Sequence, residues 1–199
     1  MNDFTDLFED FPELQSDGII MMKEVCSHFG LLFSAFALLE TGLQNCFVFW
    51  QLRQSLKNGK IRSEEHWQRE FDALQKKAED ATFGSLLRLV SDVRELDPHM
   101  PDLAKLKKSR DYFAHHFFRE ENDKMHSDES AILMLDRMNI LRKLVKVSED
   151  SVDMVQEKIF NSIYPGVDMN GTLKRIMEAE KADFIANPRT KFGWEHQPP

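Results

Sequence analysis

The residues best suited to chemistry lie close together in one short segment of this 199-residue chain, at Arg110, Asp111 and His115. A guanidinium keeps its charge at physiological pH and suits the binding of an anion. Asp111 and His115 are four positions apart, so on a helix the carboxylate can orient the imidazole and favour its protonated form. The segment therefore predicts an anion site with an acid–base group. An exposed helix-surface pair between Asp111 and His115 is the alternative interpretation.

Arg110 also falls on the apolar stripe of its predicted helix. Seven residues correspond to about 700°, so Arg110 lies within about 20° of both Leu103 and Phe117. Since a guanidinium is rarely buried without a partner, we expect it to pair with Glu40 or with another buried acid. Gln44 follows Glu40 by one helical turn, and we expect both to face the helix of Arg110. A structural ion pair and an anion-binding cleft both remain open at this point.

Positive charge is concentrated just before the arginine, at Lys105, Lys107 and Lys108. The whole chain has 26 basic and 34 acidic side chains and a net charge of −8, which repels a nucleic acid from most of its surface. A polyanion must therefore be met at a local patch, and Lys107 and Lys108 are its candidate binding residues. A solvated helix face explains the same lysines.

Most motif classes that imply a cofactor are absent from the sequence. It contains no glycine-rich phosphate loop, no Cys-x-x-Cys, no His-Glu-x-x-His and no Gly-x-Ser-x-Gly. His115 and His116 are adjacent and project about 100° apart on a helix, which makes a poor chelate. We expect neither a metal nor a cofactor.

The two cysteines, Cys26 and Cys46, lie on one predicted helix at a separation of about 30 Å. They cannot form a disulfide within that helix, which favours a reduced cytoplasmic compartment. The acidic beginning of the chain has no basic region of the kind that precedes a secretory signal.

The elements that must position these residues are predicted to be helices. The chain has only 8 glycines and 7 prolines, and no proline lies between Pro12 and Pro98 or between Pro101 and Pro165. We predict an all-α fold, a single up-and-down helical bundle with a long apolar first helix. From the apolar spacing and the capping signals, the predicted helices span residues 19–56, 64–78, 82–96, 102–120 and 128–163, followed by a weaker one at 172–185.

The predicted organisation is one bundle with two flanking segments. Residues 1–18 form an acidic, aromatic N-terminal arm, residues 19–163 the bundle, and residues 164–199 a C-terminal helix and tail. The 24 residues from Phe29 to Leu52 are long enough to span a membrane and contain one charged residue, Glu40. The polar cluster around Glu40 argues instead for a buried bundle helix, and we expect no membrane. A small membrane-associated protein is the remaining alternative for this stretch.

The segment Arg110-Asp111-Tyr112-Phe113-Ala114-His115 resembles the Arg-x4-His signature of the HEPN superfamily, the higher eukaryotes and prokaryotes nucleotide-binding domains. As in that family, a polar residue follows the arginine, an alanine precedes the histidine, and the motif is predicted late in a helix. Leu39-Glu40 lies on a long apolar first helix. Residues 82–87 are similar to the Leu-Gly-x-Leu stretch that many members have before the motif helix. The resemblance covers about residues 19–163.

The resemblance implies a function. Members are helical bundles that usually dimerise, and many are metal-independent endoribonucleases of toxin, defence or RNA-processing systems. Arg110 and His115 match the catalytic pair, Asp111 the supporting polar residue and, more loosely, Glu40 a polar residue near the site. The implied reaction is attack of an RNA 2′-hydroxyl on the adjacent phosphate, giving a 2′,3′-cyclic phosphate.

The implied partners are RNA, a second copy of the chain, and an antitoxin or regulatory protein. Arg110 and His115 are about 140° apart around a straight helix, so two motif helices meeting across a two-fold axis would supply both groups to one cleft. The alternative function is a non-catalytic dimer of the same type that binds a nucleotide or a protein, in which the motif is structural.

Overall fold

The computed structural model describes residues 20–168, apart from the side chain of His126, together with Gly171 and Glu178. The chain divides into two compact units, one ending at Ile159 and the other beginning at Phe160. The described residues form helices and no strand, which confirms the all-α helical bundle. In chain order the elements are α1 (Ile20–Lys57), α2 (Glu64–Glu79), α3 (Phe83–Leu89), the 3₁₀ helix Arg94–His99, α4 (Met100–His115), α5 (Phe117–Glu121), the 3₁₀ helix Asn122–His126 and α6 (Asp128–Ile163). The predicted N-terminal arm and the predicted helix at 172–185 lie outside the described residues, except for Glu178.

Helix α1 is the central element of the first unit. It ends as predicted at the Asn58-Gly59 stop, where Gly59 takes a φ of 64° that favours glycine. It contributes much of the core, and its largest fully buried side chains are Leu32, Phe36, Leu39, Leu43, Phe47 and Leu52. Nine of the 24 residues of the apolar stretch at 29–52 are buried within the chain.

By length and apolarity, α1 also meets the criteria for a membrane span. Its most apolar 18-residue window has a mean hydropathy of 1.4, and 44% of that window is buried inside the protein. A core helix of a soluble protein meets the same criteria. Near the middle of α1, Glu40 faces a positive partner on another helix, as described below.

Helix α2 is amphipathic and begins at the predicted cap. The hydroxyl of Ser63 accepts a hydrogen bond from the backbone N–H of His66 at 3.2 Å. Ser55 donates to Glu70 at 3.2 Å, and the side chain of Gln44 donates to the carbonyl of Ala78 at 3.3 Å, so α2 runs antiparallel to α1. The expectation that Gln44 faces the helix of Arg110 is therefore wrong, because its side chain bonds instead to the end of α2.

The single helix predicted at 82–96 is instead two short elements. Helix α3 ends at Leu89, and the 3₁₀ helix begins at Arg94. Three residues of this region are fully buried: Val90, Val93 and Leu96. The N–H of Val93 donates to the carbonyl of Val90, and the N–H of Leu96 donates to the carbonyl of Val93. This three-residue repeat is the period of a 3₁₀ helix, which brings all three side chains into the core.

The helix predicted at 102–120 is interrupted at His116, whose φ and ψ are −125° and −31°. Helix α4 ends at His115, and α5 begins at Phe117. The interruption turns the rings of Phe117 and Phe118 toward Phe29 of α1, at 5.6 and 4.6 Å between centroids. The predicted apolar stripe is confirmed, because Leu103 and Phe117 are buried, as are Leu106 and Phe113 beside them.

The segment between the predicted helices at 102–120 and 128–163 is mostly the 3₁₀ helix Asn122–His126, anchored by buried Met125. Helix α6 has the predicted bounds, Asp128 to Ile163. It packs closely on α1, where the Sγ of Cys46 donates to the carbonyl of Val152 at 3.6 Å. On the core face of α6, Ala131 and Val145 are fully buried, whereas the neighbouring Ile132 and Leu144 are exposed.

A stripe of four exposed apolar side chains runs along α6. Each is seven residues from the next, and each is 61–64% exposed: Leu133, Ile140, Val147 and Met154. We call these residues the α6 stripe. A seven-residue apolar repeat is typical of a helix that packs against another helix.

In the second unit, the described residues include the end of α6 and the turn after it. The rings of Phe160 and Tyr164 lie 5.0 Å apart, and Gly166 takes a φ of 85° in the predicted Tyr-Pro-Gly break.

Candidate functional site

A cleft of about 520 Å³ lies between α3 and α4. It brings together Lys107, Arg110, Asp111 and His115, all of which the sequence predicted as site residues. The opposite wall comes from α3 and its cap residue, and it is formed by Thr82, Phe83, Gly84, Ser85 and Arg88. The volume is in the range of cavities that bind small molecules and cofactors.

Arg110 is held in the cleft by an acid from α1. Its Nε donates to Oε1 of Glu40 at 3.1 Å, and both side chains are mostly buried, at 25% and 20% exposure. The guanidinium carbon lies 5.8 Å from the ring centroid of Phe33, within range of a cation–π contact. The expected pairing of Arg110 with Glu40 is confirmed. Among the described residues, the two Nη nitrogens of Arg110 bond to no other side chain, so they remain available to an anion.

Asp111 does not pair with His115. Its carboxylate instead forms an ion pair with Nζ of Lys107, one turn earlier on α4. Lys107 and His115 are each four residues from Asp111. The lysine has a long, flexible side chain and a full positive charge, so its ammonium reaches the carboxylate. His115 is exposed at the last residue of α4 and lines the cleft, and it has no hydrogen-bond partner among the described residues.

Lys107 reaches the cleft across Gly84. A Cβ added at Gly84 would lie 3.1 Å from Cε of Lys107, so the absence of a side chain at Gly84 lets the lysine stem lie against α3. Lys108, the other predicted binding residue, is exposed and does not line the cleft. Adjacent residues on a helix project about 100° apart, which separates the two lysines.

The sequence analysis did not assign the residues of α3 that line the cleft to the site. Thr82 caps α3 by accepting from the N–H of Ser85 at 3.3 Å, and its hydroxyl also donates to the hydroxyl of Ser85 at 3.1 Å. Arg88 then donates through Nη2 to the same serine oxygen at 3.0 Å. Thr82, Ser85 and Arg88 are spaced by three residues, which places them on one face of a helix. A polar face with this three-residue spacing, beside Gly84, is the feature of the sequence that could have indicated this wall of the cleft.

The cleft is more positive than the chain as a whole. Its lining contains three side chains with a permanent positive charge and one carboxylate, whereas the whole chain has a net charge of −8. Cations that converge in a cleft attract anions and raise their local concentration. The arrangement can bind a phosphate at Arg110 and place an imidazole beside it.

A second, apolar groove of about 320 Å³ lies on another side of α4, between α4 and α6. At its edge the hydroxyl of Tyr112 and the ammonium of Lys124 both donate to Glu121, at 3.0 and 2.7 Å. The bond from Lys124, followed by that from Tyr112, lowers the pKa of Glu121 despite its partial burial. Burial and the nearby carboxylates raise the pKa of Tyr112. This groove has none of the predicted site residues.

Within the described part of the chain, no group of three or more His, Cys, Asp or Glu side chains is placed to hold a metal ion. No family model, no curated protein and no solved structure matches this chain. The resemblance to the HEPN superfamily rests on the Arg110–His115 segment within a helical bundle, and it stays a prediction.

Proposed function

We propose that the protein is a metal-independent endoribonuclease whose catalytic pair is Arg110 and His115. The observation that carries this proposal is that a single chain places an anchored guanidinium and an unpaired imidazole in one positively charged cleft. RNA is the substrate class because the 2′-hydroxyl supplies the nucleophile for such a site. A role in a toxin or defence system, with an antitoxin or regulatory protein as partner, belongs to the same proposal.

In the proposed reaction, the scissile phosphate binds the Nη nitrogens of Arg110, and His115 accepts the proton of the adjacent 2′-hydroxyl. The 2′ oxygen forms a bond to phosphorus, and the bond from phosphorus to the 5′ oxygen breaks. The products are a 2′,3′-cyclic phosphate and a 5′-hydroxyl strand, which takes its proton from solvent. Arg110 stabilises the charge that develops on the phosphoryl oxygens. Glu40 holds the guanidinium in position, and the Lys107–Asp111 pair lies beside it.

The test is cleavage of a broad panel of single-stranded RNAs in excess EDTA, with analysis of the product ends. We expect products with 2′,3′-cyclic phosphates, because no metal-bound water takes part. His115→Ala should lower the rate by at least about 100-fold, the usual contribution of a general acid–base group. Arg110→Lys should also lower the rate, since a lysine keeps the charge but lacks the planar fork.

The neighbouring histidine provides a matched control. His116 does not line the cleft, and its Nδ1 lies 3.0 Å from Glu120, so His116→Ala should leave the cleavage rate unchanged. Equal losses in His116→Ala and His115→Ala would contradict the proposed role of His115. Wild-type protein that cleaves no RNA in the panel would contradict the enzyme proposal itself.

One observation favours the alternative, a non-catalytic binding module. Arg110 and Asp111 both have intramolecular ion-pair partners, Glu40 and Lys107, as expected where a motif stabilises a fold. In this case Arg110→Ala would lower the stability, while His115→Ala would change neither stability nor cellular effect. The histidine variant therefore separates the two functions.

We also propose that the protein forms a homodimer. Both Arg110 and His115 lie in the cleft of one chain, so a second copy is not needed to bring them together. The support comes from the α6 stripe, which presents apolar residues at the seven-residue repeat of a helix–helix seam. Helix α1 leaves fewer large apolar side chains exposed in its central part, namely Leu31, Phe33 and Leu38.

A further inference from the structure

Arg88 differs from the other permanent cations of the cleft. Arg110 is paired with Glu40 and Lys107 with Asp111, whereas Arg88 forms no ion pair with any described residue. Among the described residues, its guanidinium donates to one side chain, the neutral hydroxyl of Ser85. An exposed arginine with an unneutralised charge, directed along the wall of a cleft, is available to an anion from solution.

The surroundings of Arg88 restrict what it can bind. Ser85 accepts from both Thr82 and Arg88, so its oxygen holds the guanidinium against α3 while other N–H groups of Arg88 stay free. A planar guanidinium with free N–H groups matches the oxygens of a phosphate or carboxylate. The cleft between Arg88 on α3 and Arg110 on α4 is open and measures about 520 Å³, enough for a ligand with more than one anionic group.

We propose that Arg88, held by Ser85, is a binding site for a second phosphate of the RNA strand, adjacent to the phosphate that reacts at Arg110 and His115. The ligand class is then a strand with at least two phosphates, and a mononucleotide or dinucleoside monophosphate occupies only half of the cleft. This inference rests on the proposed function for the identity of the ligand as RNA. Arg88 is a positioning residue, since it contacts no reacting atom.

The proposal predicts a specific dependence on salt. Each phosphate neutralised by a cationic side chain contributes about 0.7 to the slope of log affinity against log salt concentration for a single strand. The slope for Arg88→Ala should therefore be shallower by about 0.7, with affinity at low salt about tenfold weaker. Arg69→Ala is the matched control, because it removes the same charge from an exposed position on α2 that does not line the cleft.

The binding experiment uses a fluorescent, 2′-O-methylated RNA oligonucleotide, which cannot be cleaved by attack of its 2′ oxygen, and follows its anisotropy over a range of salt concentrations. Arg88→Lys, which keeps the charge but loses the fork, should bind with intermediate affinity. Circular dichroism of each variant checks that it is folded. A DNA strand of the same sequence should show the same dependence on Arg88, because the phosphate is common to both strands.

Cleavage provides a second readout. With a trinucleotide, Arg88→Ala should raise KM about tenfold and leave kcat within about twofold of the wild-type value. With a dinucleoside monophosphate, which has one phosphate, the wild type and Arg88→Ala should have equal kcat/KM. A structural role for Arg88 would affect the two substrates alike.

The outcomes separate this inference from the proposed function. If Arg88→Ala and Arg69→Ala have the same affinity and salt slope, the second phosphate site is overturned and the cleavage proposal stands. If the strand binds with the predicted dependence on Arg88 and no RNA is cleaved, the phosphate site stands and the cleavage proposal is overturned. Wild-type protein that binds no single strand at low salt overturns the phosphate site directly.

Discussion

The two cysteines provide a test of burial at the scale of single residues. Burial, with smaller contributions from Asp153 and Glu95, raises the pKa of Cys46 to about 12. The thiolate is the reactive form, so at pH 8 only about one Cys46 thiol in ten thousand is ionised. Cys26 is exposed, although partial burial raises the pKa of its thiol as well. We expect an alkylating reagent at pH 8 to modify Cys26 alone in the native protein.

The measurement is mass spectrometry of the protein after labelling, with and without 6 M guanidinium chloride. One label on the native protein and two on the denatured protein are expected. The Cys26→Ser variant should then take up no label until it is unfolded. Rapid native labelling of Cys46 in that variant would mean that α1 and α6 do not cover this thiol.

At the same scale, the sequence predicts some partners and cannot predict others. The pairing of Arg110 with Glu40 follows from burial alone, because an acid on an apolar helix and an arginine on an apolar stripe each need a partner. The partner of Asp111 does not follow, since Lys107 and His115 both lie four residues away from it. Arg88 becomes part of the site only through the close approach of α3 and α4 at Gly84, which is a property of the tertiary structure.

At the scale of elements, two glycines of α1 predict how tightly the helices pack. Gly30 has open space where a Cβ would stand, whereas a Cβ at Gly42 would lie 3.0 Å from Cγ1 of Val152 on α6. Glycine in a helix costs about 0.5–1 kcal/mol relative to alanine, so Gly30→Ala should stabilise the protein by about that amount. Gly42→Ala should destabilise it by about 1 kcal/mol, because the new methyl group overpacks the contact.

Urea unfolding followed by circular dichroism measures both changes. Combining Gly42→Ala with Val152→Ala should recover stability relative to the sum of the two single variants, since the smaller residue removes the clash. If Gly42→Ala stabilises the protein as much as Gly30→Ala does, α1 and α6 are not in close contact at this position.

Elements with strong terminal signals were predicted well from the sequence. The bounds of three helices were predicted to within one or two residues: α1 ends at Asn58-Gly59, α2 begins after Ser63, and α6 ends before Pro165-Gly166. The interruptions at Val90–Val93 and at His116 were missed. Neither contains proline or glycine, and each depends on burial against distant residues, such as the packing of Phe117 and Phe118 on Phe29.

At the scale of the whole molecule, the α6 stripe predicts the oligomeric state. If two copies associate along it, light scattering at micromolar concentration should give about twice 23.3 kDa. Ile140→Glu combined with Val147→Glu should give a monomer, because two carboxylates would be buried without partners at the interface. A monomeric wild-type protein would contradict the dimer proposal.

The single variant Ile140→Glu should weaken the dimer for the same reason, and Arg142→Gln is its control for charge. Both substitutions lower the net charge by one, and Arg142 lies on a different side of α6 from the stripe, where it donates to Asn139 at 3.2 Å. The Arg142 variant should remain dimeric. Loss of the dimer in both variants would indicate an effect of net charge rather than of the stripe.

The Glu40–Arg110 pair joins residues that are 70 positions apart, with the other wall of the cleft encoded between them. During synthesis, at about 5–20 residues per second, α1 therefore emerges several seconds before its partner on α4 exists. Throughout that interval Phe29 and Phe36 lack the helices that later cover them, so the nascent chain exposes apolar surface of the kind that chaperones bind. An unfinished chain also has no complete cleft until His115 has been made, more than halfway along the 199-residue sequence.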